Sequence, residues 1–127
     1  MRKRSIAIIA GCLVAGLVLA GTAFSRATST PTLKGVVGPG FTISLKKAGK
    51  SVKGKTLKAG IYKIVVGDKS NFHNFTLERE KPKMEKLITA TGFTGTKTVI
   101  WTLKPGSWRA YCSLHEAQMQ QNFKVTK

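Results

Sequence analysis

The sequence predicts an all-β, antiparallel sandwich or barrel of about 100 residues, and two observations support this. Short runs of alternating apolar and polar residues recur after residue 35, and turns rich in glycine and proline separate them. No stretch beyond the N-terminal leader has a convincing helical period, although EKPKMEKLITA (80–90) leaves room for one short helical turn. A chain of 127 residues accommodates one domain of common size but not two.

The first three predicted strands alternate with a period of two, or are β-branched. FTISL (41–45) places its first, third and fifth residues on one face, and YKIVV (62–66) is β-branched between two glycines. HNFTL (73–77) places His73 on the same face as Phe75 and Leu77, so this histidine shares a face with core residues.

The last three predicted strands continue this pattern to the C-terminus. TVIWTL (98–103) alternates in the same way, and NFKV (122–125) closes the chain. In WRAYC (108–112), Cys112 shares a face with Trp108 and Ala110. A sheet pairing could therefore bring His73 and Cys112 together in a dry interior.

The first 23 residues have the three regions of a signal peptide. MRKR is positively charged, residues 6–24 contain no charged side chain, and residues 20–23 are small. The alternative is an uncleaved membrane anchor, since this apolar run of 19 residues reaches the lower limit for a membrane span. A lipoprotein acceptor at Cys12 is a weaker interpretation, because the apolar run continues past it. We expect an exported protein that is periplasmic, secreted or membrane-anchored and facing outward.

This organisation predicts a polar linker at residues 24–34 and one domain at residues 35–127.

The chain has 22 basic and 5 acidic residues, a formal net charge of +17. Nucleic-acid binding is the first interpretation of such a charge, but the lysines are scattered along strand exteriors and turns of an exported chain. We expect no nucleic-acid partner. We expect a monomer whose charge steers it to redox partners with acidic docking surfaces, or to an anionic membrane or cell-wall surface.

The stretch YCSLHEAQM (111–119) contains most of the soft metal ligands that remain after cleavage. Cys112, His115 and Met119 form C-x2-H-x3-M, and His73 is the only other histidine in the protein. Two imidazoles, one thiolate and a weak axial thioether are the ligands of mononuclear copper sites for electron transfer. A cysteine nucleophile with a histidine base is the alternative, but there is no third orienting group of the usual kind.

The His-Asn pair at 73–74, the C-x2-H-x3-M element and the C-terminal NFKV resemble the cupredoxin family, in particular plastocyanin- and azurin-like blue copper proteins. The resemblance covers roughly residues 41–125. It implies a Greek-key β-sandwich with one type 1 copper ion held by His73, Cys112, His115 and Met119. It also implies that Asn74 ties the ligand loops together and that an edge of His115 lies on an apolar patch that includes Leu114.

The resemblance implies a one-electron carrier that cycles between Cu(I) and Cu(II) and is not an enzyme. Copper storage, delivery or tolerance without obligatory electron transfer is the alternative, because the same ligands serve it. The sequence departs from the family at Gln118, which stands where a glycine often precedes the methionine. Glutamine is itself an axial ligand in some relatives, so the axial ligand is Met119 or Gln118.

Overall fold

The computed structural model describes residues 21–127, and the predicted signal peptide lies almost wholly outside them. The prediction of an all-β chain is confirmed: the described residues form ten strands and contain no helix. In chain order the strands are β1 (Thr32–Val37), β2 (Ile43–Lys47), β3 (Lys50–Ser51), β4 (Thr56–Lys58), β5 (Gly60–Asp68), β6 (Phe75–Arg79), β7 (Met84–Thr89), β8 (Gly95–Leu103), β9 (Gly106–Tyr111) and β10 (Gln120–Thr126).

The strands form two five-stranded sheets that pack face to face. The first sheet has the order β3-β2-β1-β5-β8, and the second has the order β4-β10-β9-β6-β7. The prediction of an antiparallel arrangement is only partly correct. Each sheet contains one parallel pair, because β1 runs parallel to β5 and β4 runs parallel to β10. Inward-facing side chains of both sheets, among them Leu33, Phe75 and Trp108, form one core between the sheets.

Each of the six predicted strands is present, but the predicted linker is too long. Strand β1 begins at Thr32 and pairs with β2 and β5, so residues 32–34 belong to the sandwich and not to a linker at residues 24–34. The reason is Leu33, which is fully buried in the core although polar residues flank it in sequence. Both sheets and all described core residues lie between Thr32 and Thr126.

The prediction that residues 80–90 contain one short helical turn is wrong. Residues 80–83 form the turn between β6 and β7, and strand β7 follows at Met84–Thr89. Strand β7 pairs with β6 at the edge of the second sheet, so Ile88 is buried while Leu87 remains exposed. On this strand Lys86 is half-buried and Leu87 is exposed, the reverse of the usual apolar-in, polar-out pattern, and this accounts for the weak alternation in the sequence.

The connections between strands gather at the two ends of the sandwich. Four of them, residues 38–42, 69–74, 90–94 and 112–119, lie at the end that holds His73 and Cys112, which we call the ligand end. The opposite end, which we call the lysine end, consists of residues 47–50, 58–59, 80–83, 104–105 and 126–127. Within residues 21–127, no helix is long and apolar enough to cross a membrane.

Candidate metal centre

Three of the four predicted ligands converge at the ligand end. Strands β6 and β9 are neighbours in the second sheet, with Thr76 opposite Tyr111, so His73 and Cys112 lie just beyond the paired ends of these strands. The two histidine Nδ1 atoms are 3.1 Å apart. The Cys112 Sγ lies 3.9 Å from Nδ1 of His73 and 3.8 Å from Nδ1 of His115. The predicted proximity of His73 and Cys112 is confirmed, but His73 lies in the loop just before β6 and not on the strand itself.

The triangle formed by these three atoms has the size of a metal site. A point in its plane lies about 2.1 Å from all three atoms, which matches the roughly 2.0–2.3 Å of metal–imidazole and metal–thiolate bonds. His73 and Cys112 are buried, and His115 is half-buried. Two imidazoles and a thiolate around one point form the trigonal donor set of type 1 copper.

The same geometry disfavours a nucleophilic cysteine. The Cys112 side chain is 0% exposed, so no substrate carbonyl can reach its sulfur. It also lies between two imidazoles, whereas a nucleophile needs one base and an open side toward its substrate. The cluster therefore fits a metal centre better than it fits a catalytic pair.

Backbone hydrogen bonds fix the spacing of the ligands in C-x2-H-x3-M. The N–H of His115 donates to the carbonyl of Cys112 at 3.1 Å, and the N–H of Met119 donates to the carbonyl of His115 at 2.9 Å. The N–H of Cys112 in turn donates to the carbonyl of Met119 at 3.0 Å, which closes the loop at its base. The two turns account for the two-residue and three-residue gaps between the ligands.

Met119 and Gln118, the two axial alternatives, differ sharply in burial. Met119 is 0% exposed and belongs to the core cluster that also contains Cys112. Gln118 is exposed, and it contributes to a shallow surface recess together with Lys53 and Ala117. Between these two side chains, only that of Met119 is enclosed with the cysteine.

Asn74 connects the two ligand-bearing segments, as the resemblance implies. Its side-chain amide donates to Ser113 Oγ at 2.8 Å, and its carbonyl oxygen accepts from the Ser113 N–H at 2.9 Å. The Asn74 backbone N–H points at the Cys112 sulfur at 3.4 Å. A hydrogen bond to a ligating thiolate withdraws charge from the sulfur and is a known means of tuning a copper site. Asn74-Phe75-Thr76 also matches the N-glycosylation sequon, but Asn74 is 6% exposed and hydrogen-bonded to Ser113, so we treat this match as coincidental.

Phe41 contacts both histidines of the centre, although the alternation of its sequence predicts a place on a strand face. The alternation of FTISL assigned it to a strand face with Ile43, but β2 begins only at Ile43 and Phe41 lies in the preceding loop. Its ring packs edge-on against that of His115, with the ring centroids 4.9 Å apart, and it is tilted against that of His73, with the centroids 5.3 Å apart. Phe41 therefore covers both imidazoles, and the preceding Gly-Pro-Gly, which marks a loop, was the signal that could have shown it.

A charged network anchors the ligand loop to the outer face of the second sheet. Arg109 on β9 donates to Glu78 Oε2 at 2.7 Å and to Glu116 Oε2 at 3.0 Å, and Glu116 directly follows His115. The guanidinium also stacks 3.9 Å over the ring of Tyr111. Burial, together with a hydrogen bond to Glu85, raises the pKa of Tyr111 above its ordinary value.

No protein-family model and no curated protein matches this sequence. Solved structures match it in fold. Rusticyanin from Thiobacillus ferrooxidans aligns with a TM-score of 0.51 at 18% identity, over 75% of this chain and 76% of that chain. Reduced rusticyanin aligns with a TM-score of 0.54 at 19% identity, over 80% and 82%. A methionine-to-leucine variant of rusticyanin aligns with a TM-score of 0.56 at 16% identity, over 80% and 79%.

The fold is that of the cupredoxins. At these identities the likeness concerns the fold alone, and the ligand cluster is established by the chain's own residues. His73, Cys112 and His115 supply the donors of a type 1 site at distances that fit one ion. The cupredoxin fold and this donor set together support one copper ion at a site like that of the blue copper proteins.

Proposed function

We propose that this protein is an exported one-electron carrier. The observation that supports it most is the fixed geometry of the three ligand atoms, which lie on a triangle with sides of 3.1, 3.8 and 3.9 Å. Protein contacts hold each corner: the pairing of β6 with β9, the turns of residues 112–119 and the Asn74 bridge. A site that keeps its ligands in place is suited to electron transfer, because little has to rearrange when the charge on copper changes.

The ion supplies the redox chemistry, and the side chains around it supply ligands, exclude water and provide an exit. His73, Cys112 and His115 would hold it, with the buried thioether of Met119 as the axial ligand. The apolar enclosure lowers the local polarity, and the Asn74 hydrogen bond stabilises negative charge on the sulfur. Each of these contacts acts on the difference in stability between the two oxidation states.

We propose that electrons enter and leave through the ring of His115. This ring is half-buried, and exposed apolar side chains stand beside it in the loops of the ligand end: Phe41 is 59% exposed and Leu114 is 57% exposed. Phe72, which precedes His73, is 74% exposed. An apolar surface around an accessible ligand edge allows a partner to approach closely without displacing ordered water from charged groups.

Electron self-exchange of the copper-loaded protein tests this function. We expect reversible one-electron voltammetry and fast exchange that slows at least tenfold in Leu114→Lys, because a buried charge at the contact opposes association. The matched control is Ile61→Lys on β5, whose isoleucine is 56% exposed and lies next to the lysine end, at the far end of the sandwich from His115. That variant should exchange at the original rate. Slow exchange combined with ready transfer of copper to a chelating acceptor protein would instead support copper storage or delivery.

Export is the second part of the proposal and rests on the N-terminal sequence. We expect expression of the full chain to give an exported product whose mass corresponds to cleavage after Ala23. A full-length product retained in the membrane would show that the leader is an anchor, and a full-length product in the cytoplasm would contradict export.

A further inference from the structure

The turns at the two ends of the sandwich differ in their charge. The turns of the lysine end contain seven lysines and one carboxylate, Glu80. The loops of the ligand end contain one lysine, Lys69, and one glutamate, Glu116. The seven lysines are Lys47, Lys50, Lys58, Lys81, Lys83, Lys104 and Lys127.

Most of this charge is not neutralised within the molecule. Among residues 21–127, Lys83 is the only one of the seven that forms an ion pair, at 3.7 Å from Glu78 and 3.6 Å from Glu85. The basic surface extends onto the outer face of the first sheet, where Lys34 and Lys46 stand directly opposite each other on β1 and β2. Like charges in opposed positions repel, so an external anion would stabilise this surface.

We propose that the lysine end is a docking surface for a bilayer containing anionic phospholipids. Its charge comes from five separate segments at a sandwich end, and those turns contain no large exposed apolar side chain among the described residues. They contain lysine and no arginine. A docking site for a folded protein typically has an apolar centre with arginine and aromatic residues and is depleted in lysine. Spread, hydrated lysine charges are what an anionic lipid surface attracts.

This docking orients the copper centre away from the bilayer. Strands β5 and β8, nine residues each, run from one end to the other and span roughly 30 Å at about 3.3 Å per residue. That length is almost four Debye lengths at physiological salt, where the Debye length is about 8 Å, so the lipid charge acts on the lysine end and not on the ligand end. The Pro31 carbonyl accepts from the Lys63 N–H at 3.0 Å, so the chain also enters the sandwich at the lysine end. His115 and its apolar surroundings would then face soluble partners.

Sedimentation with vesicles tests the proposal, using residues 24–127, which contain both sheets and all described core residues. The probes are vesicles of phosphatidylglycerol and phosphatidylcholine, and vesicles of phosphatidylcholine alone. The basic-end variant is Lys50→Gln, Lys81→Gln, Lys104→Gln. The matched control removes the same charge near the ligand end with Lys53→Gln, Lys69→Gln, Lys97→Gln. All six lysines are exposed and none is a copper ligand.

We expect the original protein to bind the anionic vesicles at low salt and to be released by added salt. The basic-end variant should bind them roughly tenfold more weakly or worse, while the control should change by less than about threefold. Equal losses in the two variants would show that only net charge matters and would overturn the docking surface. Absence of binding to anionic vesicles, or equal binding to neutral ones, would also overturn it. Apo and copper-loaded protein should behave alike, so this outcome is independent of electron transfer.

Discussion

Met119 and Gln118 are adjacent in sequence, but only Met119 is enclosed beside Cys112. We therefore expect Met119→Leu to shift the visible spectrum of the copper-loaded protein and to raise its reduction potential. A thioether donor stabilises Cu(II) more than an alkyl side chain does, so its loss favours Cu(I). Gln118→Leu is the matched control and should alter neither property, because this side chain lies at the surface. A shift in the Gln118 variant alone would reverse the axial assignment.

Tyr62 provides a second test at the level of one residue. It is buried in the core, its hydroxyl donates to the Lys58 carbonyl at 2.7 Å, and burial raises its pKa above the ordinary 10.0. The native state therefore prefers the neutral phenol, whereas an unfolded tyrosine ionises first as the pH rises. The raised pKa therefore contributes its full stability below about pH 10, and this part of the free energy of unfolding is lost as the pH rises through the raised pKa.

Tyr62→Phe isolates this effect in urea unfolding. At pH 8 the variant should be less stable by about 1 kcal/mol, because it lacks the hydrogen bond to Lys58. The difference between their free energies of unfolding should narrow above about pH 10, since only the original protein must keep a phenol neutral in its folded state. A gap that stays constant or widens with pH would contradict the raised pKa.

Single residues also show what the sequence could and could not predict. The metal ligands were recognisable because soft donors are rare in this chain and their spacing is distinctive. Phe41 was not recognisable as a cover for His73 and His115, because an aromatic residue two positions before Ile43 fits a strand face equally well. The contacts of Arg109 with Glu78 and Glu116 join residues 31 and 7 positions away, and no local pattern encodes them.

At the level of the strands, Gly35 allows β1 to pack closely against β6. A Cβ at Gly35 would lie 2.7 and 2.8 Å from ring atoms of Phe75, which begins β6 two residues after His73. Gly67 on β5 is the matched control, because a Cβ there would meet no atom within 4 Å. Neither position has the left-handed backbone that only glycine adopts easily, so any difference between them reflects packing.

We expect Gly35→Ala to lower the free energy of unfolding by roughly 1–3 kcal/mol, the usual cost of overpacking a core. Gly67→Ala should leave it unchanged or raise it by up to about 1 kcal/mol, because alanine restricts the unfolded chain. Chemical denaturation of both variants measures this difference. Equal stabilities would show that the two sheets are not in close contact at this point.

The six strands with alternating or β-branched residues were predictable from the sequence. The remaining strands were not, because neither feature is clear in their sequences. Strand β1 carries a glycine at its centre and a lysine on its outer face, so its sequence resembles a linker, yet β2 and β5 flank it on both sides. Strand β6 is buried along its whole length, so alternation alone understates how enclosed it is. Such assignments depend on which strands become neighbours, and that is a tertiary property.

For the whole molecule, the central claim is that the sandwich brings His73, Cys112 and His115 together as a type 1 copper site. The most direct measurement is the visible absorption and EPR spectrum after loading with Cu(II). We predict an intense thiolate-to-copper charge-transfer band and the small copper hyperfine splitting of a type 1 centre, both of which disappear in a folded Cys112→Ser variant. A weak spectrum typical of copper bound by nitrogen and oxygen, unchanged by Cys112→Ser, would contradict the account.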